Sequence, residues 1–201
     1  FNVPQGVAVD KSGNVYVADL GNSAVKQIVA VGGVVTPTST VNTIGSTFAF
    51  PIGMAVDGSG NVFVADAATS AVYKIGAVNG VVTPGSTVTL IKNGFNTPNG
   101  IAVDGSGNVF VAEQSAGDVK EIVAVGGTVL PSSLVTVIKS GFNSPDGIAV
   151  DGSGNVFVAD GGNHAVKEIV AGGGAVSSGS SVNTIGSGGS VPAGIAVDGS
   201  G

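Results

Sequence analysis

GIAVDGSGNVFVAD spans Gly147–Asp160, and almost the same words stand at Gly53–Asp66 (GMAVDGSGNVFVAD) and Gly100–Glu113 (GIAVDGSGNVFVAE). A looser copy opens the chain at Gly6–Asp19, and a fifth begins at Gly194 and runs to Gly201. Working outward, Pro4, Pro51, Pro98, Pro145 and Pro192 are each 47 residues apart, as are Asp10, Asp57, Asp104, Asp151 and Asp198. Ile44, Ile91, Ile138 and Ile185 keep the same spacing. The 201 residues therefore divide into repeats 1–47, 48–94, 95–141 and 142–188 and a partial repeat 189–201, read together as one segment, 1–201.

One repeat reads as four short strands. GVAVD (Gly6–Asp10) and NVYVAD (Asn14–Asp19) are β-branched runs joined by KSG, a hairpin in which the Asp caps the turn and Gly supplies positive φ. AVKQIVAV (Ala24–Val31) is a third strand. Its recurrent Val25 and Ile28 stand three apart, which predicts a bulge there, one helical turn being the alternative. GGVVTPTS forms a longer loop that keeps its Pro out of any ladder, and TVNTIG (Thr40–Gly45) is the fourth strand. Four antiparallel strands at a period in the forties predict an all-β fold of β-propeller blades. The first two strands are apolar on both faces, so an isolated sheet would leave one such face in water; stacking against neighbours buries both.

The pattern P-x-GIAVDGSGNVFVAD-x-x-N-x-x-V resembles the NHL repeat, and every unit carries it. Asn22 and Asn163 match the Asn that follows the core motif, whereas Thr69 and Ala116 depart from it. An Arg frequent in the family is replaced by Ser23, Ser70, Gly117 and His164. The resemblance implies a propeller, commonly of six blades. The nucleic-acid-binding members use a basic face that this chain lacks, so that function does not follow.

Composition narrows the function further. Hydrophobic residues make up 43% and charged residues 10%, the latter well below the usual value of about 25% and contrary to disorder. Net charge is −6, all seven basic residues are lysines and tryptophan is absent, which argues against nucleic-acid binding. No run has the roughly 20 apolar residues of a membrane helix, and the N-terminus lacks the pattern of a signal peptide. Cysteine is absent, so thiolate catalysis and cysteine metal sites are excluded.

Candidate sites are few. DGSGN (Asp57–Asn61 and its copies) offers alternating oxygens like the start of a calcium loop, but it has Val at the sixth position and no Glu at the twelfth; a capped hairpin turn is the simpler reading. Asp19, Asp66, Glu113 and Asp160 close the second strand of each repeat, where a propeller would array them on one face as a binding site for a cation or basic partner, or as caps for their loops. His164 is the lone histidine. Six-bladed relatives that act as lyases, lactonases or esterases place metal ligands on the axis, commonly His, Glu, Asp and Asn; one His cannot make a multi-His zinc centre, and His164 reads as a solvated loop residue. No triad is apparent; no catalytic residue, metal ligand or cofactor is assigned. The variable columns Lys26, Tyr73, Lys120, Lys167 and Gln27, Lys74, Glu121, Glu168 are expected on exposed surfaces where partners would bind.

The ends are duplicates. Phe1–Gly13 and Gly189–Gly201 both carry the innermost strand, so four blades have five. The segment is expected to belong to a larger propeller of six or more blades, or to assemble with other copies through exposed strand edges. The expected role is a non-enzymatic repeat scaffold for protein or ligand binding or structural assembly, outside the cell or on its surface. The alternative is part of an extracellular six-bladed lyase or hydrolase whose catalytic blades lie elsewhere.

Overall fold

The computed structural model describes residues 1–45 and 47–198. Among these, sixteen strands form four separate four-stranded antiparallel sheets, one per repeat, each in consecutive order. Blade 1 is β1 (Pro4–Val9), β2 (Val15–Asp19), β3 (Ala24–Ile28) and β4 (Val41–Gly45). Blade 2 is β5 (Pro51–Val56), β6 (Val62–Asp66), β7 (Ala71–Ile75) and β8 (Val88–Asn93). Blade 3 is β9 (Pro98–Val103), β10 (Val109–Glu113), β11 (Asp118–Ile122) and β12 (Val135–Ser140). Blade 4 is β13 (Pro145–Val150), β14 (Val156–Asp160), β15 (Ala165–Ile169) and β16 (Val182–Ser187). These are propeller blades, and they group into two compact units, Phe1–Gly94 and Phe95–Gly201.

Within the first unit, Ala8, Tyr16, Ala18, Val25 and Ile44 on the back of blade 1 pack against Met54, Val56, Val62, Val64 and Ile75 on the front of blade 2. Within the second unit the same columns meet: Ala102, Phe110, Ala112, Val119 and Ile138 of blade 3 against Ile148, Val150, Val156, Val158 and Ile169 of blade 4. β6 and β10 are buried throughout.

Glycine sets how closely blades approach. A Cβ on Gly6 would stand 2.2 Å from the Ile52 carbonyl oxygen of the next innermost strand, and one on Gly100 would stand 2.2 Å from that of Asp146. Gly147 has the same relation to Ala193, 2.6 Å away. The partial fifth repeat therefore lies where a further innermost strand would lie, but residues 189–198 join no sheet. The first strand expected in that repeat is not among the described strands.

The hairpin turns follow the sequence. Asp10 Oδ1 accepts the backbone N–H groups of Ser12 and Asn14, at 2.9 and 3.0 Å, and Oδ2 accepts Asn14 Nδ2 at 2.8 Å. Asn14 Oδ1 in turn accepts the Ala30 N–H from the loop after β3. The set recurs at Asp57, Asp104 and Asp151. The DGSGN oxygens are thereby taken up by the blade's own donors. At the β3–β4 tip, Val31 and Val34 bridge across Gly32–Gly33, both with positive φ, as a two-residue hairpin demands.

The expected bulge is real but sits in a different strand. β2 and β3 pair in continuous register. Between β3 and β4, Val25 faces Gly45 while Lys26 faces Thr43, which leaves Ile44 as the extra residue. The same shift isolates Ile91, Ile138 and Ile185. Val25 and Ile28 need no irregularity: their odd spacing puts them on opposite faces of a regular strand.

Candidate functional site

The four acids that close the second strands are fully buried. Asp19 accepts the Asn2 N–H at 2.6 Å and Asn22 Nδ2 at 2.7 Å. Asp66 accepts three backbone N–H groups, from Ala49, Phe50 and Thr69. Glu113 accepts the Asn96 N–H at 2.6 Å and pairs with Lys120 at 2.8 Å. Asp160 accepts the Asn143 N–H and Asn163 Nδ2 and pairs with Lys167 at 2.5 Å. Each carboxylate thus ties the segment that enters its blade to the end of the second strand.

The expectation that Lys26, Tyr73, Lys120 and Lys167 form an exposed variable surface is corrected by these contacts. Lys120 and Lys167 are only one-fifth exposed. Their ammonium groups stand 5.6 Å from the Phe95 ring and 5.3 Å from the Phe142 ring, within cation–π range. Tyr73 replaces the lysine in blade 2 and meets Phe48 edge-on at 5.5 Å, while Asp66 takes its extra backbone donor instead. In the adjacent column Gln27 is buried, donating to the Val82 carbonyl at 2.8 Å and to the Tyr16 hydroxyl at 3.3 Å.

Electrostatics match the packing. Burial raises the Asp160 carboxyl, but the ion pair with Lys167 and the Asn163 and Asn143 donors outweigh it and hold the group below its usual range. Asp19 is lowered in the same way, burial being outweighed by Asn22, the Asn2 N–H and nearby positive charge. Burial and the Asp10 carboxylate push the Tyr16 phenol up to about 12.

A further set of residues that departs from the repeat lies in the second unit. Inside the constant P-x-G motif, x is Gln5, Ile52, Asn99, Asp146 and Ala193. Asn99 Nδ2 donates to Asp146 Oδ1 at 2.9 Å, and Gln114 Nε2 donates to the same oxygen at 2.8 Å. Gly161 makes room beside it, since a Cβ there would come within 2.8 Å of Asp146 Oδ2. Gln114 also lines a groove of about 350 Å³ with Ser115, Ala116, Gly117, Phe142, Asn143 and Ser144. Its lining comes from two loops, β10–β11 and β12–β13, which are joined by a hydrogen bond from the Phe142 N–H to the Gly117 carbonyl. The size suits a small ligand. The rim offers amides and hydroxyls, with a carboxylate one hydrogen bond behind it.

His164 lies in the β14–β15 loop with φ of 52°, and its carbonyl accepts the Gly188 N–H. Among the described residues, no three His, Cys, Asp or Glu side chains gather as a metal site would require. Sequence reasoning missed Asn99, Gln114 and Asp146. Their signal was two varying columns within an otherwise repeated phrase: the P-x-G position of Asn99 and Asp146, and the position of Gln114, which is Leu20, Ala67 and Gly161 in the other repeats.

Comparison with known proteins agrees with this architecture. Residues 1–28 match the NHL repeat model, and residues 53–185 match the SMP-30/gluconolactonase/LRE-like region. No curated protein matches by sequence. Among solved structures, a nidogen/laminin complex superposes with a TM-score of 0.75 at 18% identity, covering 98% of this chain and 70% of that one. The luciferin-regenerating enzyme gives 0.70 at 14% identity, covering 96% and 66%. A virginiamycin B lyase from Staphylococcus aureus gives 0.68 at 14%, covering 96% and 59%. A streptogramin B lyase gives 0.68 at 10%, and the chain spans 53% of its length. With its match running through well over half of its residues, the chain belongs to the SMP-30/gluconolactonase/LRE-like family.

Proposed function

We propose that the chain is a repeat scaffold that binds a small polyhydroxylated ligand in the groove beside Gln114, outside the cell. The observation that carries this reading is the Asn99–Asp146–Gln114 cluster. It is a place where otherwise near-identical blades acquire distinct, mutually bonded polar groups, and one of its members lines the groove. Neutral hydroxyls suit the rim, which pairs amides and serine hydroxyls, and the net charge of −6 disfavours anions. The low charge content supports the extracellular placement.

Saturation-transfer NMR with glucose and with glucono-1,5-lactone tests the reading. Binding that is lost in Gln114→Ala supports it; no transfer to either probe at millimolar concentration overturns it. A second reading, that such a ligand is also transformed, is favoured by family membership. In that case Asp146 is the carboxylate placed to take a proton. Lactone hydrolysis above the uncatalysed rate, lost in Asp146→Asn, would establish it.

A further inference from the structure

The contact between blades carries a hydrogen bond in the first unit that the second unit lacks. Gln27 of β3 reaches across from blade 1: its Nε2 donates to the Val82 carbonyl of blade 2 at 2.8 Å, and Asn42 Nδ2 donates to its Oε1 at 3.4 Å. Two repeats later the same places hold Glu121 of β11, Val176 in the β15–β16 loop, and Thr136 of β12. The Thr136 hydroxyl donates to Glu121 as Asn42 does to Gln27. Val176 is buried like Val82, yet no donor reaches its carbonyl among the described residues. An ionised carboxylate cannot supply one, because it only accepts; the protonated acid carries an O–H and can.

The charges around Glu121 favour the proton. In blade 1 the Tyr16 hydroxyl bridges Asp10 and Gln27; Phe110 in blade 3 has no such group, and Asp104 and Glu121 oppose each other as two acids. Lys139, opposite Val119 in β12, does not relieve them: its ammonium donates to the Ser178 and Ser180 carbonyls of blade 4. Asp151, in the blade 4 turn, accepts donors from its own loop. Burial and the Asp104 carboxylate accordingly push the Glu121 carboxyl above its ordinary range, more than the Thr136 hydroxyl lowers it. We propose that Glu121 is a proton-operated latch: once protonated it donates to the Val176 carbonyl and ties blade 3 to blade 4 as Gln27 ties blade 1 to blade 2, so this contact tightens as pH falls. A carboxyl held high in the folded state contributes most below about pH 4, and that contribution is lost as pH rises through its folded pKa. This is the reverse of the Asp160 carboxyl, which is held low. The latch does not rest on the ligand groove.

Thermal melts of the full chain between about pH 4 and 7 test it, each variant against wild type at the same pH so that the other carboxylates cancel. Glu121→Gln writes the blade 1 residue into blade 3. It is expected to raise the melting temperature by roughly 2–4 °C near pH 7 and to lose that advantage near pH 4, where the wild-type acid is itself a donor. Glu121→Ala removes the charge without supplying a donor and gains less. In wild type, carbon-13 NMR is expected to show the Glu121 carboxyl titrating above the ordinary glutamate range and the Val176 carbonyl resonance moving with the same midpoint. The proposal is overturned by a Glu121→Gln variant no more stable than wild type near pH 7, an advantage that does not change with pH, an equal gain in Glu121→Ala, or a Val176 carbonyl that ignores the Glu121 titration.

Discussion

Asp160 and Lys167 illustrate what a buried charge does in these blades. Their 2.5 Å pair and the two further donors on Asp160 hold the β13 entry against the end of β14. Asp160→Ala strands the Asn143 N–H and the ammonium group and should cost about 2–3 kcal/mol in chemical denaturation. Because the folded carboxyl is held low, the unfolded chain binds more protons during acidification. The stability it contributes is present above the ordinary carboxylate pKa and is lost as pH falls below about 4. Melting curves across that window should flatten in Asp160→Asn. Tyr16 behaves in the opposite sense. Its phenol, raised to about 12, contributes stability that is intact below pH 10 and disappears between about 10 and 12. Tyr16→Phe, which copies the residue in the other blades, should remove that alkaline loss in a thermal melt relative to wild type. At this scale the Asp10 turn was legible, because an Asx turn is local. The Asn99–Asp146 bond was not: its partners are 47 residues apart, and nothing local marks one column of a repeat as touching the next.

Strands and turns carry the next set of expectations. Gly100 lets β9 approach β13, and a methyl group 2.2 Å from a backbone oxygen cannot be absorbed by a rotamer change. Gly100→Ala should destabilise by about 1–3 kcal/mol or more, as overpacking does, and lower the melting temperature of the second unit. The Gly32–Gly33 tip invites the reverse. Blade 2 uses Asn79–Gly80 at the same place, with Asn79 at φ of 53°. Gly32→Asn should therefore stabilise by roughly 0.5 kcal/mol by restricting the unfolded chain, measured by urea denaturation. Periodicity and β-branched runs placed all four strands of each repeat, since hydrophobic alternation and turn residues are local signals. The bulge was assigned to the wrong strand because a bulge belongs to a pair: only the register between β3 and β4 shows that Ile44 is the extra residue.

For the whole molecule, burial ranks the strands. β6 and β10 are buried along their full length, whereas every residue of β16 is exposed. Amide hydrogen exchange should therefore be slowest in β6 and β10 and fastest in β16, in keeping with the link between buried contacts and opening free energy; equal protection in β16 would contradict the packing described. The recurring contact has one more consequence. Because its columns are chemically the same each time, the surface itself does not say which sheet comes next. That information resides in the covalent thread: the short stretch between Ser140 and Pro145 reaches only the adjoining sheet. A chain cut at this tether and kept whole by no other bond would retain every complementary surface yet lose its ordering, and shuffled arrays would compete with the native sequence of sheets on nearly equal terms.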